Sequence, residues 1–120
     1  MSYYTEFSLV LETDVDDTVK NEIENEVIRL GIFNEFDSID NGCSAFCGWG
    51  CWLEDMCSVS AKFPDVLFLL HGRGESDDDL WNAYFINGQY QYCPAKISYD
   101  NFDAYKLRKP ISNGGYDKCN

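Results

Sequence analysis

Six cysteines, one histidine and a run of acids are the side chains in this sequence best suited to chemistry. Cys43, Cys47, Cys51 and Cys57 are separated by three, three and five residues, and Cys93 and Cys119 stand apart from them. Structural zinc favours pairs two residues apart, often completed by histidine, and neither feature is present. In a reducing compartment the cluster reads as thiols serving as small core residues, a redox bridge being the remaining use. His71 is followed by Gly72-Arg73-Gly74. A bare Gly-x-Gly is too short to define a phosphate loop, and no Ser or Cys is placed to act with the imidazole. His71 therefore reads as a residue at the end of a strand. Glu75-Ser76-Asp77-Asp78-Asp79 has the oxygen ligands for Ca²⁺ or Mg²⁺. It lacks the alternation, central glycine and distal glutamate of a calcium loop, so it reads as a solvated, flexible turn. No nucleophile–base pair, metal knuckle or cofactor motif emerges, and the expectation is a protein that acts without catalysis and without a cofactor.

Charge carries the stronger signal. Nine Lys and Arg face twenty-one Asp and Glu, a net charge of −12 on 120 residues. Such a surface repels nucleic acid and anionic membranes and attracts cationic partners. Asp14, Asp16, Asp17, Glu35, Asp37, Asp40, Glu54, Asp55, Glu75, Asp77, Asp78 and Asp79 fall near element ends and in loops, and Trp81 follows the last of them. Gathered on one face, they would imitate the phosphates of a DNA strand, which rises about 3.4 Å per nucleotide. Left scattered, they would only keep the protein soluble. Trp49, Trp52, Trp81, Tyr84, Tyr90 and Tyr92 suggest an aromatic face, which at this charge would meet a protein or a small nucleotide rather than a polynucleotide.

The elements that would position these groups follow from periodicity. Tyr3 to Glu12 alternates, which predicts a strand with Tyr3, Thr5, Phe7, Leu9 and Leu11 on one face. Val15, Val19, Ile23, Val27 and Leu30 then recur at helical spacing, with Thr13 or Asp14 as the cap and Gly31 beyond the end. Asn34 to Gly42 reads as a polar loop, Phe46 to Leu53 as a strand, and Glu54 to Phe63 as a short helix ended by Pro64. Val66 to Leu70 is apolar on both faces, the pattern of a central strand covered on both sides or lying near an interface. Leu80–Ile86 and Gln89–Cys93, joined by Asn87-Gly88, predict a tight hairpin, with Ala95 to Tyr99 extending the strand past Pro94. The expected fold is α+β: an antiparallel-rich sheet with two helices on one face, a variant of the ferredoxin-like plait. Residues 1–100 would form the single domain and residues 101–120 a polar, fraying tail.

Trp52, Asp55-Met56, Ser60, Phe63-Pro64-Asp65-Val66, Phe68, Leu70, Gly72, Gly74-Glu75, Asp79, Trp81, Tyr84-Phe85 and Gly88 resemble a pattern in small uncharacterised phage and prophage proteins. It is also similar to the ferredoxin-like domain of Api92-like and YubB-like mobile-element proteins. The resemblance spans residues 46 to 92. It implies a phage or mobile-element origin and transfers no activity.

The leading expectation is an inhibitor that fills the basic groove of a host nucleic-acid-handling defence protein, in the manner of an anti-CRISPR or DNA mimic. The alternative is a small-ligand binder that sequesters a nucleotide signal. Direct binding to nucleic acid or membrane is not expected, and the edge Gln89–Cys93 could pair with its copy in a homodimer. Met1 to Glu6 has neither a basic nor an apolar leader segment, so the expected location is the host cytosol.

Overall fold

A computed structural model describes residues 3–33 and 38–110. Strand β1 (Thr5–Leu11) leads to helix α1 (Asp17–Arg29), a 3-10 turn (Ile39–Asn41) and strand β2 (Cys43–Cys47). Helix α2 (Trp52–Lys62) follows, then β3 (Phe68–Gly74), β4 (Leu80–Ile86), β5 (Gln89–Pro94) and a 3-10 turn (Ala104–Lys106). The strands form one sheet in the order β2-β1-β3-β4-β5, every neighbouring pair antiparallel. Because β2 and β3 both run against β1, they are parallel to each other, and α2 connects them across it. This split β-α-β unit, extended by the β3-β4-β5 meander, gives an α+β fold compatible with a ferredoxin-like plait variant.

One face of the sheet carries the core. Phe7 and Leu9 lie beside Leu70 and Phe68, then Ala83 and Phe85, and Ile23 and Val27 of α1 with Met56 and Val59 of α2 close over them. Helix α1 is capped by Asp16, whose Oδ1 accepts from the Val19 N–H at 2.9 Å. The cap therefore lies later than Thr13 or Asp14, because the chain stays extended after β1. Gly31, at φ +76°, ends the helix in the left-handed region that glycine adopts most readily. The two helices are tied by Lys62 Nζ and Glu26 Oε2 at 2.7 Å, which holds the Glu26 carboxyl below its ordinary value.

The Asn87-Gly88 turn forms as expected, with φ +49° and +77°. It is fastened to α2, since the Gly88 N–H donates to Ser60 Oγ at 2.9 Å and that buried hydroxyl donates to the Cys57 carbonyl at 3.0 Å.

Three expectations change. The second strand is Cys43–Cys47 rather than Phe46–Leu53: the chain leaves the sheet at Gly48 and turns into α2 at Trp52. His71 to Gly74 belong to β3, so His71 is mid-strand, its Nδ1 2.7 Å from Asn82 Oδ1 on the face away from the helices. Residues 95–110 carry no strand: Ala95 donates to the Leu80 carbonyl at 2.8 Å, and the segment is then exposed throughout. Of the cysteines, Cys43 is buried, Cys47 and Cys57 are half-buried, and Cys51 is exposed beside the α2 N-terminus. Cys119 lies outside the described residues. No helix among the described residues is long and apolar enough to cross a membrane.

Candidate functional site: an aromatic cleft beside an acidic loop

A cleft of about 520 Å³ opens at the end of the sheet where β1 begins and β2, β3 and β5 finish. Its formation starts with a glycine. Gly72 faces Trp81 across the β3–β4 pair, and a Cβ there would overlap the indole ring. The missing side chain lets Trp81 lie flat against the sheet, only 6% exposed. Trp52, in the first turn of α2, stacks on it with centroids 4.4 Å apart and planes 20° from parallel. Tyr92 of β5, 46% exposed, reaches both rings at 6.3 and 5.8 Å.

The opposite wall is Trp49, packed edge-on against Phe7 and Phe33. Its Nε1–H donates to Asp55 Oδ2 at 2.7 Å, which fixes the indole and binds the Gly48–Cys51 turn to the helix it precedes. Gly48 and Gly50 contribute to the lining, and both are exposed.

Asp79 supplies the polar rim. Its Oδ2 accepts from the Tyr3 hydroxyl at 2.6 Å, while that hydroxyl oxygen accepts from the Ser76 N–H at 3.2 Å. The Asp79 N–H donates to the Ser76 carbonyl, and the Tyr4 N–H to the Glu75 carboxylate. The acidic turn is thus strapped to the start of β1 rather than left as a free, flexible segment. Gly74 lies close by, and a Cβ there would meet the Asp79 carboxylate and the Tyr3 hydroxyl, so a side chain would displace this pair.

The fold divides the acids expected to share a face. Glu54 and Asp55 in the first turn of α2, with Glu75, Asp77, Asp78 and Asp79 in the β3–β4 turn, lie at the cleft end. Asp14, Asp16 and Asp17 before and at the start of α1, with Asp40, lie at the other end. The seven residues of β1 separate the two groups by about 20 Å at roughly 3.3 Å per residue. At the far end Lys20 meets Asp40 at 2.7 Å and Asp17 at 3.7 Å, and the Asp40 hydrogen bond raises the lysine above its ordinary pKa. Glu35 and Asp37 lie outside the described residues.

Several of these acids have internal duties: Asp16 caps α1, Asp55 holds Trp49, and Asp79 holds Tyr3. Glu54, Glu75, Asp77 and Asp78 are exposed. Trp81 is the floor of the cleft, and the rings that a partner can reach are Trp52 and Tyr92. The six aromatics of the sequence do not form one exposed face, because Tyr84 lies on the opposite side of the sheet and Trp49 is buried. A faint sequence signal for the cleft exists in Gly72 and Trp81, a small residue and a large ring placed opposite by the hairpin register.

Among the described residues, no lysine or arginine lines the cleft. Among the described residues no cluster of three His, Cys, Asp or Glu is placed to hold a metal ion. Burial pushes the Cys43 thiol up to about 12, with Glu24 adding to the effect, so it is a poor thiolate donor. The arrangement can stack a planar group on Trp52, attract a cation to ring faces and carboxylates, and exclude anions. No family model, curated protein or solved structure matches the chain.

Proposed function

We propose that this protein is a non-catalytic, acidic binding protein that occupies the basic groove of a nucleic-acid-handling partner, with the cleft end as its contact surface. The observation that carries the reading is the placement of the aromatic cleft at the same end as Glu54, Glu75, Asp77 and Asp78. Exposed carboxylates accelerate encounter with a cationic surface, and desolvated aromatic side chains prolong the bound state. One end of the molecule offers both. A DNA mimic made of every acid would need a continuous strip, so the contact here is local, and the distant group near Asp14 and Asp17 contributes only long-range attraction.

An anti-defence role in the host cytosol is part of this proposal; it follows the sequence resemblance expected for residues 46–92, which no family model matches. The test is capture of partners from bacterial lysate by the tagged full chain, with wild type compared against Asp77→Asn/Asp78→Asn. The reading expects one nucleic-acid enzyme, released by high salt, displaced by DNA and lost in the variant. Retention of that enzyme in the presence of excess DNA would overturn the groove-filling mode.

A second reading is favoured by the cleft's volume, which lies in the range of small-molecule sites. Its chemistry suits a planar or cationic ligand stacked on Trp52. The phosphate of a nucleotide would face Asp79, with no lysine or arginine in the lining among the described residues. A copurifying small molecule in native mass spectra, lost in Trp52→Ala, would identify this use.

A further inference from the structure

Among the described residues, no helix or loop covers the sheet face turned away from the helices. Strand β3 is central, and the run Val66–Leu70 that leads into it is apolar on both sides, while on the open face Leu69 is followed by His71 and Arg73. Phe68 and Leu70 enter the core, while Leu69 points to the open face beside Val10 and Tyr84. Ile86 continues this apolar patch, and Phe46, 65% exposed, stands at the β2 edge of the same face.

The chain also carries a segment whose apolar side chains are exposed among the described residues. Residues 95–110 leave β5 at the acidic turn, where Ala95 is bonded to Leu80, and every one of them is exposed. Tyr99, Phe102 and Tyr105 are 89, 80 and 99% exposed, with Ile97 and Leu107 on either side. The segment has local order: Asp103 Oδ1 accepts from the Tyr105 N–H at 3.0 Å and caps a 3-10 turn. Among the described residues the segment 95–110 packs on no other element, and the overall radius of gyration, 19.5 Å, exceeds the about 14 Å of a compact chain of this length.

Charge distinguishes this arm from the body. Residues 1–94 hold eighteen Asp and Glu and four Lys and Arg, a net charge of −14. Residues 95–110 hold Lys96, Lys106, Arg108 and Lys109 against Asp100 and Asp103, a net charge of +2.

We infer that residues 95–110 are an exchange arm: two copies pair about a two-fold axis, each laying its arm across the open sheet face of the other. The basic, aromatic arm is attracted to the acidic body at long range, the open face itself pairing Glu6 with Arg73, and reciprocal exchange gives the self-complementary contact of a closed dimer. The dimensions agree. Sixteen extended residues reach about 50 Å, and five strands at roughly 4.8 Å span about 20 Å. Three aromatics at roughly 150 Å² or more each, on two arms and with the surface they cover, exceed the roughly 1,200 Å² of a stable interface.

The test is the solution mass of the full chain by sedimentation velocity at micromolar concentrations. Wild type is expected at 27.6 kDa, twice the 13.8 kDa chain. Tyr99→Ser/Phe102→Ser/Tyr105→Ser in the arm and Phe46→Lys on the face are each expected to return it to 13.8 kDa with an unchanged melting temperature. Both sites are exposed and outside the core, so loss of the dimer reports the contact and not the fold. A monomeric wild type, whether the arm is free, folded back or reserved for another macromolecule, overturns the inference. A dimer that survives the arm substitutions does so equally, and one lost with the arm but kept in Phe46→Lys overturns the assignment of the face.

Discussion

Replacing Gly72 by alanine tests how the cleft is built. An alanine Cβ would sit 2.0 Å from Trp81 Cε2 and Cζ2, where ordinary carbon contacts are about 3.5–4.0 Å. The ring must retreat by about 1.5 Å. Trp52, stacked at 4.4 Å, and Phe7, edge-on at 6.1 Å, restrict where it can go. Overpacking of this kind costs about 1–3 kcal/mol, and a broken aromatic stack adds roughly 0.5–1.5 kcal/mol. The expected loss is therefore about 3 kcal/mol, or about 10 °C in melting temperature for a domain of this size. Urea unfolding followed by far-ultraviolet circular dichroism measures it, and near-ultraviolet dichroism reports the Trp52–Trp81 pair. Gly50→Ala is the control, because nothing lies within 4 Å of a Cβ there. A loss below about 1 kcal/mol for Gly72→Ala, or equal losses for the two variants, would refute the account of how the indole is seated.

Ser60→Ala removes the acceptor that holds the Gly88 N–H, and a loss of about 1–3 kcal/mol is expected from denaturant unfolding, with the hairpin amides exchanging faster. Asp55→Ala releases the Trp49 indole, a charge-assisted bond of about 1.5–3 kcal/mol, and should change Trp49 fluorescence while leaving α1 intact. Cys43 gives a pH dependence whose sign follows from its position. Its folded pKa of about 12 lies above the ordinary 9.0, so its contribution to stability is complete below pH 9 and is lost as pH rises toward 12. Urea midpoints should fall more steeply over that window in wild type than in Cys43→Ala, and native Cys51 should react with a thiol reagent well before Cys43.

Much of the fold was legible because local signals agreed with the tertiary arrangement. The alternation through Thr5, Phe7 and Leu9, the stripe Val19–Ile23–Val27 and the Asn87-Gly88 turn each specify one element and the face it buries. The displaced second strand has a physical cause. Cys47, Trp49, Cys51 and Leu53 alternate as a strand would, yet Trp49 is buried by leaving the sheet at Gly48 and packing on Phe7 and Phe33. Two glycines mark an exit as readily as a bend. The division of the acids could not be read locally, since it depends on α2 beginning where β1 begins and α1 beginning where β1 ends. The cleft likewise depends on register, which places Gly72 beneath Trp81, and on α2 bringing Trp52 over both.

Under the proposed function the cleft end, and not acidity in general, recognises a cationic partner. Tryptophan fluorescence of the full chain, titrated with an arginine-rich peptide at low and high salt, tests it most directly. The account expects a saturable change in wild type that weakens with salt, weakens in Asp77→Asn/Asp78→Asn and in Trp52→Ala, and survives Asp14→Asn/Asp17→Asn at the far end. Equal weakening at the two ends, or binding indifferent to Trp52, would contradict it.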